Sequence, residues 1–373
     1  MEIIHVVLGK ANPARMNGVN KVVNELASQQ AMAGETVALW GITKSSEHDY
    51  PGRPYDTRLF KARKNRFQLD PALIAALGKK KDRVIFHLHG GFIPAFNRLA
   101  IALHKRDIPF VLTPHGSYNT IALEKSKWRK KIYMALYEKT ILKYARAIHC
   151  MGKSEIAGLQ LLYPNNKSIL IPYGFEPAAA PESAVRPDAG AGEFIIGFCG
   201  RIDIHTKGLD VLLHAFHRFI KDVPEARLWV IGDSPERQAL QHLAMDMGMD
   251  DNVVFYGSKY NRDKTDLLVQ LSAFVHPSRN EGLPTAVLEA ASLGIPCIVT
   301  EATNTGDSIR RFDCGQVIDQ PDAEELFVAM RALYRRIRQK GMEELSDNAR
   351  RMISEAYNWK TILGHFHQLY VSA

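Results

Sequence analysis

The sequence predicts an α/β protein made of two doubly wound, parallel-sheet domains, and three observations carry that prediction. From Ile3 to Ile171, short apolar runs alternate with helix-length amphipathic runs. The alternation restarts at Phe194, after a Pro-, Ala- and Gly-rich stretch without periodicity (residues 176–192) that reads as an interdomain linker. The 373 residues are too many for one ordinary core and suit two of about 150–200 residues. The expected domains are therefore 1–175 and 193–355, followed by a terminal helical segment, 356–373.

Composition narrows the class. A charged fraction of 24% and a hydrophobic fraction of 46% are those of a soluble globular protein. Met1 leads directly into the strand-like run Ile3 to Leu8, with no basic n-region, so a signal peptide is not expected. No apolar run is long enough to span a bilayer, and a cytoplasmic location follows. Cys150, Cys199, Cys297 and Cys314 are widely spaced, which fits buried, reduced thiols. The net charge of +8 conceals an asymmetry: residues 1–175 carry 27 Lys and Arg against 12 Asp and Glu, while residues 176–373 carry 21 against 28. The first half would be drawn to an anionic surface.

In that half the strand candidates are Ile3 to Leu8, Val37 to Gly41, Val84 to Leu88, Phe110 to Thr113, Ala147 to Met151 and Ser168 to Ile171. Each ends near Gly, Pro, His or Ser, so chemistry belongs in the loops after them. The first such loop runs through Asn17-Gly18-Val19 into a helix. It is no G-x-G-x-x-G, and the second strand does not end on an acidic residue, which argues against a nicotinamide cofactor. His87-Leu88-His89-Gly90-Gly91 and Thr113-Pro114-His115-Gly116-Ser117 close two successive strands. No carboxylate or further His sits at ligand spacing, so no metal is expected, and His89 reads as a strand-end cap bonded to backbone. Cations gather at Lys61 to Arg66, at Lys79 to Lys81, and in Lys125-Ser-Lys127-Trp128-Arg129-Lys130-Lys131. The last cluster opens a helix whose Met134, Tyr137, Ile141 and Ala145 form an inward stripe. Trp128 among five cations suggests an interfacial anchor on anionic lipid; a solvated basic face is the alternative, and no nucleic-acid-binding module is present.

The second half reads as a strand Phe194 to Phe198, a helix from about Gly208 to Ile220, a strand Arg227 to Ile231, a helix from Glu236, a strand Val253 to Phe255, a helix near Asp263 to Leu271, and a strand to Val275. The first strand ends in Cys199-Gly200-Arg201, with Lys207-Gly208 shortly after. Arg201 can grip a phosphate bidentately, and Lys207, expected at the start of a helix, adds a point charge. An ion pair of Arg201 with Asp203 or Asp210 is the alternative. From Val275 the order is strand, loop, helix (Pro284 to Leu293), strand, with Gly294 as the helix stop. Glu281 falls just before the helix N-terminus, an anion-binding position, and Glu289 lies within the helix. Apolar neighbours at Val287, Leu288, Ala290 and Ala291 mean that the Glu289 carboxylate needs a partner.

The run from Glu281 to Glu289, with seven residues between the two acids, resembles the signature of retaining family-4 type glycosyltransferases, which have the GT-B fold: two Rossmann-like domains facing across a cleft. The resemblance spans nearly the whole chain and is most specific in the second half. It implies that Glu281 and His115 orient the donor sugar, that Glu289 holds the ribose, and that Gly282 and Leu283 face the diphosphate. Arg201 and Lys207 match a metal-independent diphosphate clamp. Gly232, Gly257 and Ser258 would line the nucleotide, and Gly18 would approach the donor phosphates, with Asn17 in place of the family's first Gly. Ala302-Thr-Asn-Thr-Gly306 departs from the Gly-Gly often found there. Tyr357-Asn-Trp359-Lys resembles the start of a final helix that crosses back to the first domain. The implied reaction is hexosyl transfer, with configuration retained, from a UDP- or GDP-sugar to a lipid-linked or lipopolysaccharide acceptor, without cofactor. No catalytic base or nucleophile stands out, which suits a front-face mechanism. Lys127, Trp128, Arg129, Lys130 and Lys131 would meet the acceptor or an anionic membrane. A non-hydrolysing UDP-sugar epimerase and a silent nucleotide-sugar-binding scaffold are the rival readings.

Overall fold

The computed structural model describes residues 1–12, 18–45, 47, 52–78, 83–119, 123, 127–177 and 193–372. Asn17, the lysines at 79–81, Lys125, and residues 178–192 of the proposed linker lie outside this set. The chain forms two compact units: Met1–Gly174 with Trp359–Ala373, and Phe175–Asn358.

The first unit holds strands β1 (Glu2–Leu8), β2 (Thr36–Thr43), β3 (Asp56–Lys61), β4 (Val84–His89), β5 (Phe110–Thr113), β6 (Ala147–Cys150) and β7 (Ser168–Leu170). They form one sheet in the order β3-β2-β1-β4-β5-β6-β7, and every pairing is parallel. Strand β3 was not anticipated: Asp56-Thr57-Arg58 is too polar to register as an apolar run, and the strand lies at the sheet edge, where only one neighbour constrains it. Alternation along the strands puts Ile4 and Val6 of β1 and Phe86 and Leu88 of β4 into one large apolar cluster. The intervening residues, His5 of β1 with His87 and His89 of β4, are buried on the opposite face. The terminal helix Trp359–Ser372 belongs to this unit and buries Phe366 and Tyr370 beside the histidines.

The second unit holds β8 (Ile195–Cys199), β9 (Arg227–Ile231), β10 (Val253–Gly257), β11 (Ala273–His276), β12 (Cys297–Thr300) and β13 (Gly315–Ile318). Their order is β10-β9-β8-β11-β12-β13, again all parallel. Both faces are covered, as parallel sheets require. Ile196 and Phe198 of β8 with Leu228 and Val230 of β9 fill one core, while Ile195, Cys199, Trp229 and Ile231 fill the other. All four cysteines are free and buried. Among the described residues no helix is long and apolar enough to cross a membrane.

Local geometry corrects several sequence expectations. The helix after β11 is Thr285–Ser292, with Pro284 as its extended cap residue rather than part of its first turn, and Gly294 follows at φ +75°. Lys207 does not open a helix; it ends the short helical turn Ile204–Lys207, closed by Gly208 at φ +66°. A Cβ on Gly208 would fall 2.0 Å from the Pro277 carbonyl oxygen, so the loop before β11's helix and the turn after β8 touch backbone to backbone here. A π-helical turn, Met134–Glu138, interrupts the helical segment from Lys127 to Tyr144 and buries Met134 and Glu138.

Candidate functional site

In the second unit the polar residues converge where β8 and β11 end, the edge at which doubly wound sheets place ligands. Glu281 is the hub: its Oε1 accepts bonds from the Lys207 ammonium, from His276 Nε2 at 2.8 Å and from Ser278 Oγ at 3.3 Å. Burial alone would raise its carboxyl, but His276 and Lys207 outweigh burial and hold it at about 2. Glu281 is therefore ionised at neutral pH although its side chain is only 14% exposed. The loop that carries it is pinned from both sides. Asn304 Nδ2 donates to the Glu281 carbonyl at 3.1 Å and to that of Gly282 at 2.7 Å, and Thr300 Oγ1 donates to the Ser278 carbonyl at 2.6 Å.

Lys207 is held by the turn it closes. Asp203 caps that turn by accepting from Thr206 N at 2.9 Å, and Arg279 N donates to the Thr206 carbonyl at 2.9 Å. The Arg279 guanidinium makes two 2.8 Å bonds to the Asp210 carboxylate, a bidentate clamp from the Glu281 loop to the first turn of the helix Leu209–Asp222. Arg201 pairs with Asp203 at 3.0 Å and keeps its side chain 72% exposed. Burial would raise Asp203, but its bonds to Thr206 and the charges of Arg201 and Lys207 prevail and lower its carboxyl. The structure thus strings Arg201, Asp203, Lys207 and Glu281 into one alternating array.

Glu289 lies one turn inside the Thr285–Ser292 helix, and its carboxylate meets the Lys264 ammonium at 2.7 Å. The apolar neighbours of Glu289 call for a partner without identifying Lys264, which sits in another helix, Asn261–Leu268, 25 residues earlier. His276, Asn304 and Arg279 were missed as well. A histidine ending the apolar strand Ala273–His276 was the available signal for the first, since a buried imidazole needs a partner. Gly282 and Leu283 are half-buried in the pinned loop, and Pro284 makes no side-chain cap to the helix behind them. Gly232 follows β9 at φ +151°, where a Cβ would lie 1.8 Å from the Gly200 carbonyl oxygen, so the backbones after β8 and β9 meet closely. Gly257 closes β10 at φ +69°, with Arg237 Nη1 3.1 Å from where a Cβ would sit, and Ser258 is exposed.

His115 belongs to the first unit, at φ +53° in the loop after β5. Gly18 opens the helix Gly18–Met32. The expectation that His89 caps its strand against backbone is overturned. Its Nδ1 meets His115 Nε2 at 3.0 Å and its Nε2 meets His5 Nδ1 at 2.9 Å. Parallel pairing of β1 with β4 sets His5 beside His87, a proximity that sequence spacing hides. Ligand atoms of His5, His87 and His89 lie within 4.8 Å of one another, close enough in principle to hold a metal ion. Each of their six ring nitrogens is also within bonding distance of another polar atom, so the three rings belong to a hydrogen-bonded network.

In the basic segment, Trp128 (77% exposed) is accompanied by Ile132 and Leu136, both exposed. The spacing of four residues sets the first two on one side of the helix Lys127–Tyr133 and carries the line into the π-helical turn. Arg129 is exposed, Lys130 lies over the Phe92 ring and Lys131 over the Trp128 ring.

Two family models match the chain: one for Glycosyltransferase Family 4 at residues 16–178 and one for Glycosyl transferases group 1 at residues 182–356. The chain is 30% identical over 177 residues to the lipopolysaccharide core biosynthesis glycosyltransferase LpsE of Rhizobium meliloti, covering 46% of this chain and 50% of that protein. It is 24% identical over 398 residues to the GDP-mannose:cellobiosyl-diphosphopolyprenol alpha-mannosyltransferase of Xanthomonas campestris, covering 100% and 97%. The chain spans about half the length of several of the curated relatives it matches, 43% and 57% in two further cases. The crystal structure of Anabaena HepE in complex with UDP superposes with a TM-score of 0.75 at 14% identity, covering 100% of both chains, a likeness of fold.

Proposed function

The chain belongs to the glycosyltransferases, with a family-4 domain followed by a group-1 domain, and from that membership we propose that it transfers a hexosyl group from a UDP- or GDP-sugar to a lipid-linked saccharide or lipopolysaccharide acceptor. The observation that carries this reading is the Lys207–Glu281 pair beside a helix N-terminus without a side-chain cap. Amide groups of that turn and the Lys207 ammonium offer positive charge to a diphosphate, while the ionised Glu281 accepts from sugar hydroxyls. In the transition state the anomeric carbon–oxygen bond to the diphosphate breaks and negative charge grows on the departing oxygen. Lys207 and Arg201 neutralise that charge without a metal ion. The acceptor hydroxyl attacks from the same face, its proton passes to the leaving phosphate oxygen, and configuration is retained. Glu289 receives the ribose hydroxyls next to Lys264. By the family resemblance, His115 is a further candidate contact to a sugar hydroxyl.

Names of relatives support the acceptor class: one acts in lipopolysaccharide core biosynthesis and one is named for a diphosphopolyprenol-linked cellobiosyl acceptor. The line of Trp128, Ile132 and Leu136 with its neighbouring cations supports peripheral docking on an anionic membrane, where an acceptor with a lipid anchor is found. Incubation with UDP- and GDP-hexoses, with and without lipid-linked acceptor and with EDTA, tests the whole reading. The expected result is acceptor-dependent transfer, undiminished by EDTA, giving the same anomer as the donor. Epimerised free nucleotide sugar, or an inverted product, would overturn it.

A further inference from the structure

One face of the first sheet carries a continuous chain of buried hydrogen bonds that the proposed transfer does not explain. It runs from His115 Nε2 to His89 Nδ1 (3.0 Å), His89 Nε2 to His5 Nδ1 (2.9 Å), and His5 Nε2 to Gln30 Oε1 (2.7 Å). Gln30 Nε2 continues to Tyr370 Oη (3.3 Å), Tyr370 Oη to His87 Nδ1 (2.8 Å), and His87 Nε2 to Thr113 Oγ1 (2.5 Å). Thr113 Oγ1 meets His149 Nδ1 (2.7 Å), and His149 Nε2 ends the chain on the Ile171 carbonyl (2.7 Å). Every link lies within the first unit, and Tyr370 reaches it from the terminal helix.

The far end fixes the direction of every proton. A carbonyl only accepts, so His149 donates from Nε2. Burial depresses the basicity of His149 to about 4, so the ring is neutral and its Nδ1 accepts from the Thr113 hydroxyl. Thr113 then has only lone pairs for His87, which must donate from Nε2 and accept at Nδ1 from the Tyr370 hydroxyl. Tyr370 therefore presents only lone pairs to Gln30, whose amide must place its nitrogen there and its oxygen toward His5. The same logic passes through His5 and His89, both likewise kept neutral by burial. His115 is left as Nε2–H, half-buried at the open end, with an unprotonated Nδ1 that has no partner among the described residues.

We infer that Gln30 and Tyr370 are positioning residues which, through this chain, hold His115 in one tautomer and make its Nδ1 an obligate hydrogen-bond acceptor. The ligand group facing it is then a donor, a sugar hydroxyl, and not a phosphate or carboxylate oxygen. The identity of that ligand rests on the proposed glycosyl transfer; the tautomer does not.

Histidine-selective 15N labelling of the full chain tests both parts. Long-range 1H–15N spectra between pH 6 and 8 are expected to show His5, His87, His89, His115 and His149 as neutral Nε2–H rings. An Nδ1–H or doubly protonated ring at any of them overturns the chain. Tyr370→Phe frees the Gln30 amide to turn over, so His115 is expected to split between two tautomers and kcat/KM to fall about tenfold, the worth of one hydrogen bond. A single unchanged His115 tautomer in that variant overturns the role of Tyr370. If the tautomers mix but transfer proceeds at the wild-type rate, the chain stands and the sugar contact of His115 falls.

Discussion

The two units share one strand order, extended by a seventh strand in the first, and treat their polar groups in opposite ways. In the first, imidazole, amide and hydroxyl groups lie on a sheet face under a helix, all neutral and, apart from half-buried His115 in the loop after β5, nearly or fully inaccessible. In the second, ammonium, guanidinium and carboxylate groups lie on loops and helices beyond the strand ends, partly wetted and paired. Position decides which chemistry is affordable to the fold. Desolvating a charge under a helix costs several kcal/mol, whereas a neutral donor–acceptor chain costs little once every atom is matched. Charge therefore concentrates where strands end, where a phosphate could reach it.

Acid should break this symmetry most strongly. The five histidines have folded pKa values far below the ordinary 6.5, with His5 and His149 near 4 and His115 near 3. Their contribution is full above 6.5 and is lost as pH falls towards those values. Glu138 and Glu155, raised by burial to about 7, pull the other way, since they favour folding at low pH, but they are two protons against five. The first unit should lose about 1.4 kcal/mol per pH unit for each proton the unfolded chain binds in excess. Glu281, held near 2, keeps its contribution above the ordinary 4.5 and loses it only as pH falls towards 2. Methyl NMR signals assigned to each unit should show the first melting between pH 6.5 and 4.5 while the second persists; simultaneous loss would remove the contrast.

Lys207→Ala should be next in size. It strips a buried carboxylate of its cation and removes a charge from the leaving-group site, so kcat should fall about 100-fold or more and unfolding free energy by about 3 kcal/mol. Kinetics and denaturant titration read both. Thr113→Val is the first unit's counterpart. It orphans a donor on His87 and an acceptor on His149, costing about 2–3 kcal/mol in denaturant melts, with no direct effect on the diphosphate site. Arg201→Ala should be the mildest for the fold. A pair this exposed is worth under about 1 kcal/mol, so the thermal midpoint should barely move, while transfer should slow by about tenfold and become less sensitive to salt.

What the sequence revealed follows the same division. Alternation of apolar runs and turns predicts both sheets, because parallel strands buried on two faces are spelled as continuous Val, Ile and Leu. Glu281, Glu289, Arg201 and Lys207 stand at fixed offsets from Gly and Pro, so local spacing picks them out. Lys264 and Asn304 do not, because their partners are set by how separate helices and loops pack. The histidine chain is harder still: His5, His87 and His149 belong to three different strands, and only the sheet order makes them neighbours. The available clue was a histidine placed inside apolar strands, as in Ile4-His5-Val6 and Ile148-His149-Cys150, since such a residue requires partners.

Gly174 and Trp359 mark where the backbone leaves the first unit and where it returns; a Cβ on Gly174 would strike the Trp359 indole, 2.3 Å from its nearest atom. Synthesis on the ribosome thus delivers the first unit in two instalments, with the whole second unit emerging between them. Until the last helix appears, the nascent sheet lacks the Tyr370 hydroxyl and the Phe366 ring that cover its histidines. The part made first is finished last, so the second unit is the one able to fold as soon as it clears the exit tunnel.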